Sequence, residues 1–289
     1  MLAITGSSGW IGTNAINYYQ NLVGKKNISK YIIPYTSNGR ELNGLDTFPL
    51  EQIQKNKILS GIFHTAFIRK ALIKNYKIKD YIKINRSITS ALENALHNNP
   101  GIPIISISSG AAANIKSNEN NLTIDPYGYL KKEEEIKLFE LAKNRMVVVF
   151  RVYAATGPFL KLPTHYAFGQ FLENIIKKQP IKINSNSLVY RSYVYLPDLI
   201  KLSFSIFNKP LKNGFYLIDA CTNTLEIGDI ASIIKRNFEG ITIHRNKIID
   251  STNNYIGDNN QFLKLLSNYK IKPTPLEKQI KKSLEEIIL

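Results

Sequence analysis

The chain has 289 residues and a hydrophobic content of 44%, which fit one large α/β domain or a domain with a small appendage and exclude wholesale disorder. Its 38 lysines and arginines against 22 aspartates and glutamates give a formal net charge of +16, which favours an anionic partner: nucleic acid, an anionic membrane or a phosphorylated small molecule. The single cysteine, Cys221, excludes an internal disulfide and a cysteine-based metal site, so we expect a buried thiol, no bound metal and a reducing, cytoplasmic location.

Short apolar runs alternate with longer amphipathic stretches, a pattern typical of a parallel sheet covered by helices. The apolar runs predict strands at residues 2–5, 31–35, 61–65, 102–108, 146–152 and 214–218. The amphipathic stretches predict helices at residues 10–22, 80–97 and 127–143. No apolar run approaches the roughly 20 residues that span a bilayer. Beyond Gly157, prolines break the pattern into short pieces.

These elements predict an α/β fold with a Rossmann-type, doubly wound parallel sheet and a smaller C-terminal α/β region. We assign the Rossmann domain to residues 1–157, with later strand segments added to its sheet, and a substrate-binding region to residues 158–289. Ligands of a doubly wound sheet bind at the carboxyl ends of its strands. Functional residues are therefore expected where the predicted strands end.

A glycine-rich loop joins the first predicted strand to the first predicted helix. In such a loop the first glycine permits a tight turn, the second lets backbone approach a pyrophosphate, and the third lets the helix pack on the strand. The amides at the helix N-terminus then face the phosphates. The loop predicts a dinucleotide site made by Gly6, Ser8, Gly9, Trp10, Ile11 and Gly12.

The second predicted strand ends without the carboxylate that usually binds the adenosine ribose of NAD. Ser37 and Arg40 follow it, and a guanidinium matches a 2′-phosphate in geometry and charge. The segment therefore favours NADP(H), with NAD(H) as the alternative. Arg40 can equally be a solvated loop residue.

A Tyr-x-x-x-Lys spacing at Tyr127 and Lys131 follows a strand that ends in two serines. If Tyr127 opens a helix, Lys131 lies one turn further along the same face. An ammonium beside a phenol favours the phenolate, which suits proton exchange with a carbonyl or an alcohol. A serine at the strand end can supply a second hydrogen bond to the same oxygen. We interpret the run Glu133-Glu134-Glu135 as a solvated helix face.

With these motifs, the chain resembles the extended short-chain dehydrogenase/reductases, in particular the NAD(P)-dependent epimerase/dehydratase family that acts mostly on nucleotide sugars. The resemblance implies that Ser109, Tyr127 and Lys131 are catalytic and that Lys131 also binds the nicotinamide ribose. It adds His64, Ala66 and Asn85 to the cofactor-binding residues, although a histidine in an apolar strand is usually packed in the core. It also implies that Arg191 contacts a nucleotide diphosphate, that Lys161 and His165 assist it, and that the protein is a homodimer.

Departures from the family pattern narrow the activity. No Asp-Glu pair follows Ser109, which disfavours the sugar 4,6-dehydratases, and Gly110 stands where the epimerising reductases have a cysteine. Ala154 replaces an asparagine that binds the diphosphate in many members. We therefore expect an NADPH-dependent reductase of a 4-keto nucleotide sugar in surface polysaccharide or deoxysugar biosynthesis.

Two alternatives remain open at this point: an NAD-dependent nucleotide-sugar 4-epimerase, and a nucleotide-binding sensor without turnover. The expected partner is a nucleotide-diphosphate sugar. No recognisable nucleic-acid module accompanies the positive charge, so we expect neither nucleic acid nor a membrane as partner.

Overall fold

The computed structural model describes residues 1–42, 44–115, 122–160, 166–249 and 251–287. Its helices are α1 (Trp10–Val23), α2 (Ile78–Asn98), α3 (Pro126–Glu140), α4 (Ala167–Ile176), α5 (Leu196–Asn208), α6 (Ile227–Asn237), α7 (Asn260–Asn268) and α8 (Leu276–Glu285). Its strands are β1 (Leu2–Thr5), β2 (Ile32–Thr36), β3 (Phe48–Pro49), β4 (Gly61–His64), β5 (Ile104–Ser109), β6 (Met146–Val152), β7 (Ala154–Thr156), β8 (Ile181–Ile183), β9 (Leu188–Tyr195), β10 (Gly214–Ala220), β11 (Asn223–Glu226), β12 (Ile243–Arg245) and β13 (Thr252–Tyr255).

Among the described residues, seven strands form one sheet in the order β10-β6-β5-β4-β1-β2-β3. β1 pairs in parallel with β2 on one side and with β4 on the other, β2 pairs in parallel with β3, and β4 with β5. The chain thus builds outward from β1 in one direction and then in the other. This reversal defines a doubly wound sheet, whose ligands bind at the carboxyl ends of the strands beside the reversal. The predicted fold class is confirmed.

Helices cover both faces of this sheet, which explains why its central strands are apolar on both sides. On one face, Ile62 and Val147 belong to a buried cluster with Leu92 of α2 and Leu138 of α3. On the opposite face, the Phe204 ring of α5 lies 5.5 Å from that of Phe63 on β4 and 4.6 Å from that of Tyr19 on α1, measured between centroids. The alternation of Ile62 and Phe63 between faces follows from the two-residue period of a strand.

The chain divides into two compact units. The first comprises Met1–Arg151 and Ile200–Ile218, and the second comprises Val152–Leu199 and Asp219–Leu289. The first unit contains the glycine loop, the serine strand and the Tyr127 helix. The assignment of cofactor binding to residues 1–157 and of substrate binding to 158–289 stays a prediction.

The second unit has its own sheet and core. β9 pairs antiparallel with β11 and in parallel with β13 and β7, and β8 pairs in parallel with β12. The Glu226 carboxylate organises this unit, because it accepts the amides of Val189 (3.0 Å) and Gly228 (2.7 Å) and pairs with Arg245 (2.7 Å). Burial alone would raise the pKa of Glu226, but Arg245 and the two amides lower it below its usual range.

Helices beyond Gly157 are more regular than the prolines indicate. The sequence predicts only short pieces there, yet α5 runs from Leu196 to Asn208 with Pro197 in its first turn. Proline is tolerated at that place because the first amides of a helix have no intrahelical partner. In the parts of the chain that the structure describes, no helix is both long and apolar enough to cross a bilayer.

Candidate active site

The glycine loop forms a close backbone turn at the carboxyl end of β1. Gly6 has a φ of 65°, and a Cβ at this position would lie 2.7 Å from the backbone nitrogen of Ala66. A Cβ at Gly12 would overlap the carbonyl of Gly6. Gly9 caps α1, whose first turn, beginning at Trp10 and Ile11, carries no acidic residue. Ser8 and Gly9 are exposed. The loop therefore fits a pyrophosphate, since its backbone can approach the ligand closely and the N-terminus of α1 attracts an anion.

The segment after β2 is held by hydroxyl groups and carries no carboxylate from residue 36 to residue 40. The Thr36 hydroxyl oxygen accepts the amide of Gly39 (2.9 Å) and lies 2.9 Å from the hydroxyl of Thr47. Ser37 and Arg40 are both exposed. A phosphate at this position would thus meet a guanidinium and a hydroxyl.

His64 is packed inside the first unit, as expected for a histidine in an apolar strand. Its residue surface is 0% exposed, its Nδ1 lies 2.8 Å from the Thr5 hydroxyl, and its Nε2 lies 3.6 Å from a carboxylate oxygen of Glu134. Ala66, two residues further on, is also buried. The inclusion of His64 and Ala66 among the cofactor-binding residues stays a prediction.

Asn85 supports the loop after β4. Its side-chain oxygen accepts the amide of Ile68 (2.8 Å), and the nearby Tyr81 hydroxyl donates to the Ile68 carbonyl (2.8 Å). Burial raises the pKa of Tyr81, and the charges of Tyr127 and Asp125 add to this effect. The buried Asn85 side chain therefore holds Ile68 in place, and the residue before it, Phe67, faces Tyr127.

Ser109 lies at the carboxyl end of β5 and is buried. Its hydroxyl oxygen accepts the amide of Ala111 (3.2 Å) and so begins the 3-10 helix Gly110–Asn114. The first turn of α3 packs against this short helix, and Asp125 caps α3 by accepting the amide of Gly128 (3.2 Å). The strand end with Ser109 and the helix start with Tyr127 are thus adjacent in the first unit.

Tyr127 and Lys131 contact the same aromatic ring. The Tyr127 ring meets Phe67 edge-on at 5.7 Å between centroids, and Lys131 Nζ lies 4.0 Å from the centre of the Phe67 ring. Lys131 is 3% exposed, and its Nζ donates to the carbonyl of Ile107 on β5 (2.9 Å). The one-turn spacing of Tyr127 and Lys131 therefore places both on the helix face that meets Phe67.

The interpretation of Glu133-Glu134-Glu135 as a solvated face is wrong for two of the three residues. Glu134 and Glu135 are 1% and 3% exposed. Glu134 accepts from Lys131 (3.2 Å) and from the Ser106 hydroxyl (3.1 Å). Glu135 binds the guanidinium of Arg151 through both oxygens (2.8 and 2.6 Å) and accepts from the Ser108 hydroxyl (2.7 Å). The polar side chains of β5 and β6 make this burial possible, and they are remote in sequence.

Sequence reasoning also missed Phe67 and Glu134 as members of the site. The signal for Glu134 was present, because Lys131 and Glu134 are three residues apart and can pair on a helix. Phe67 had no such signal, since its contact with Tyr127 bridges two elements that are distant in sequence.

Glu134 is a charged group inside the first unit. Burial alone would raise the pKa of its carboxyl, but the Lys131 ammonium and the adjacent His64 outweigh burial and lower the pKa to about 2. The carboxylate is therefore ionised near neutral pH.

The predicted substrate residues are only partly described. Arg191 lies on β9 in the second unit, where its Nη1 donates to the carbonyls of Tyr190 (2.7 Å) and Asn253 (2.8 Å). Lys161 and His165 lie outside the described residues.

Cys221 is buried as expected, and burial raises the pKa of its thiol to about 11. Such a thiol is a poor nucleophile near neutral pH.

A nucleotide loop at the reversal of a doubly wound sheet, together with a serine strand and a Tyr-x-x-x-Lys helix, fits the site of a dinucleotide-dependent oxidoreductase. A family model described as the NAD dependent epimerase/dehydratase family matches residues 2–218. The chain belongs to this family.

Individual proteins resemble the chain more distantly. A UDP-2-acetamido-2,6-beta-L-arabino-hexul-4-ose reductase from Pseudomonas aeruginosa is 24% identical over 231 residues, which are 79% of this chain and 55% of the reductase. The chain thus spans about half the length of that relative.

Solved structures of nucleotide-sugar enzymes share the fold. The structure of MoeE5 with UDP-glucuronic acid and NAD superposes with a TM-score of 0.74 at 16% identity, covering 98% of this chain and 97% of MoeE5. A UDP-glucuronic acid 4-epimerase from Bacillus cereus gives 0.71 at 17% identity, covering 98% of each chain.

The lowered pKa of Glu134 predicts an acid-dependent loss of stability. A carboxyl group whose pKa is lowered by folding stabilises the protein at pH values above its ordinary pKa, here 4.5. This contribution to stability is lost as the pH falls from 4.5 toward about 2. We expect the difference in unfolding free energy between the wild type and Glu134→Gln to shrink by about 3 kcal/mol across that range. Urea unfolding at a series of pH values measures it, with Glu133→Gln as the control. A difference that does not depend on pH would contradict the prediction.

Proposed function

We propose that the protein is a nucleotide-sugar oxidoreductase that reduces a 4-keto nucleotide sugar with NADPH. The observation that carries the reaction type is the meeting of α3 with the serine strand. Through this contact Tyr127 lies near the end of the strand that carries Ser109, and both Tyr127 and Lys131 contact the Phe67 ring. The substrate class is drawn from the name of the Pseudomonas relative, which is a reductase of a 4-keto UDP sugar.

The residues of the first unit fit a nicotinamide dinucleotide. The turn of Gly6 to Gly12 and the amides that begin α1 would hold its pyrophosphate, and Lys131 would bind its nicotinamide ribose. Ser37 and Arg40 would hold a 2′-phosphate, which is the basis for NADPH over NADH. When bound, the cofactor supplies the hydride that reduces the carbonyl carbon.

The side chains of the chain supply the proton and the charge. The Tyr127 hydroxyl donates its proton to the carbonyl oxygen, which becomes the new sugar hydroxyl. The Ser109 hydroxyl donates a hydrogen bond to the same oxygen and so orients the ketone. The Lys131 ammonium favours the tyrosinate that remains after transfer, and solvent then returns the proton to it.

The residues after Ser109 favour reduction over elimination. The 3-10 helix Gly110–Asn114 carries glycine, alanine and asparagine side chains, none of which can act as an acid or base. The resemblance implies that a sugar 4,6-dehydratase needs carboxylates there to remove water. Reduction of a ketone needs only the one proton that Tyr127 provides.

The nucleotide diphosphate of the substrate is the anion that the second unit would recognise. Arg191 is the described residue proposed for this role, and we extend the proposal to Lys161 and His165. The net charge of +16 would attract such a substrate over the whole surface.

The test of this function is an assay of the purified chain with NADPH or NADH and a panel of UDP, GDP, CDP and dTDP 4-keto sugars. We expect consumption of the reduced cofactor together with appearance of the 4-hydroxy sugar. Tightly bound NAD, with interconversion of sugar epimers and no added reductant, would overturn reduction in favour of a 4-epimerase. Ligand binding without any turnover would instead indicate a sensor.

Replacement of Tyr127 by phenylalanine tests the proton donor. Tyr127→Phe keeps the ring that contacts Phe67 but removes the hydroxyl, so we expect unchanged NADPH binding and a fall in kcat of about 10²- to 10⁴-fold. Tyr129→Phe on the same helix is the matched control and should keep wild-type kcat. Wild-type turnover by Tyr127→Phe would rule out this mechanism.

Replacement of Arg40 tests the cofactor preference. Loss of a charged hydrogen bond to a 2′-phosphate costs about 1.5 to 3 kcal/mol, so Arg40→Ala should raise the KM for NADPH about 10- to 100-fold. The KM for NADH serves as the internal control because NADH lacks the phosphate. Equal KM changes for the two cofactors would contradict the role of Arg40.

A further inference from the structure

A network of buried polar side chains extends from β1, the strand before the glycine loop, to Lys131. The Thr5 hydroxyl of β1 lies 2.8 Å from His64 Nδ1, His64 Nε2 lies 3.6 Å from Glu134 Oε2, and Glu134 Oε1 lies 3.2 Å from Lys131 Nζ. Each of these residues is at most 3% exposed. This polar network extends from β1 through β4 to α3, within the first unit.

The hydrogen bonds around Thr5 determine which groups of this polar network donate and which accept. The Thr5 hydroxyl oxygen accepts the amides of Thr65 (3.1 Å) and Ala66 (3.4 Å), so its own hydrogen is directed to His64 Nδ1. A neutral imidazole that accepts at Nδ1 carries its proton at Nε2. The N–H of His64 therefore faces Glu134 Oε2, and this contact favours the ionised carboxylate.

A buried ion pair of this kind is not an efficient source of stability. Removing both charges from water costs about as much as their attraction returns, and apolar residues of similar volume often stabilise a core more. Removing one partner alone is costly, because it leaves the other charge buried without compensation. Loss of Glu134 would thus leave the buried Lys131 ammonium without the carboxylate that pairs with it.

We propose that Glu134 is a positioning residue, whose carboxylate holds the buried Lys131 ammonium between the Ile107 carbonyl and the Phe67 ring. This inference rests on the proposed function, because the held ammonium is the group that acts on Tyr127 and on the nicotinamide ribose. Within the described parts of the chain, the titratable groups that face Glu134 are Lys131 on its own helix and His64 on β4.

The neighbouring glutamates have different partners, which isolates the role of Glu134. Glu133 accepts three hydrogen bonds from the Arg86 guanidinium, two from Nε (3.0 and 3.3 Å) and one from Nη2 (2.8 Å), on the exposed side of α3. Glu135 binds Arg151. Glu133→Gln therefore removes one carboxylate from the same helix without touching Lys131, and it is the matched control.

The experiment compares Glu134→Gln with Glu133→Gln in the full chain, by NADPH titration and by measurement of kcat and KM. We expect Glu134→Gln to lower kcat about 10- to 100-fold with little change in the KM of the sugar. Glu134→Asp, which keeps the carboxylate, should recover most of the wild-type kcat. The control should behave as the wild type.

The outcomes separate this inference from the proposed function. If Tyr127→Phe and Lys131→Met lose turnover but Glu134→Gln keeps the wild-type kcat, Glu134 has no positioning role and the proposed function stands. If Tyr127→Phe and Lys131→Met also keep turnover, the proposed function itself fails.

A folding defect in Glu134→Gln is met by a second variant. The double variant Lys131→Met with Glu134→Gln removes both charges, so it should unfold at or above the temperature of Lys131→Met alone if the defect comes from an uncompensated ammonium. A double variant that is further destabilised by the full cost of Glu134→Gln would overturn the proposal.

Discussion

A lysine ammonium enclosed between a strand and a helix is the constraint on which the rest of the first unit depends. Lys131 is 3% exposed, and an ion in that position must be matched by a charge or by several acceptors. The structure provides the Ile107 carbonyl, the Phe67 ring and the Glu134 carboxylate. Each of these groups comes from a different element, so the placement of one side chain restrains β5, the loop after β4 and α3 together.

The same constraint explains the polar inner face of α3. A helix that packs on a parallel sheet normally presents an apolar stripe. Here Glu134 and Glu135 are directed to the sheet, and the serines of β5 at positions 106 and 108 each donate to one of them. Arg151 on β6 completes the pairing of Glu135. The interface between α3 and the sheet therefore has fewer apolar contacts, but it holds several charged groups in fixed positions next to Tyr127.

Local sequence signals account for most of the fold but only part of the site. The apolar strands and the glycine loop were predictable because each is specified by consecutive residues with a clear periodicity or turn requirement. The buried state of Glu134 was not, because a run of three glutamates on a helix is usually solvated and the partners that bury it stand on β4 and β5. The contact between Phe67 and Tyr127 likewise depends on Asn85, which holds the intervening loop from α2. The helices after Gly157 were underestimated since a proline in a first turn indicates a break although it is compatible with a helix.

The buried thiol has a practical consequence for labelling. Cys221 is the one cysteine of the sequence, it is buried, and its pKa of about 11 keeps it protonated near neutrality. Thiol reagents react with the thiolate, and therefore this residue competes weakly with an exposed cysteine. A cysteine placed at an exposed position of either unit would carry a fluorophore or a spin label almost alone. The wild-type chain is in this sense already a background for single-site spectroscopy.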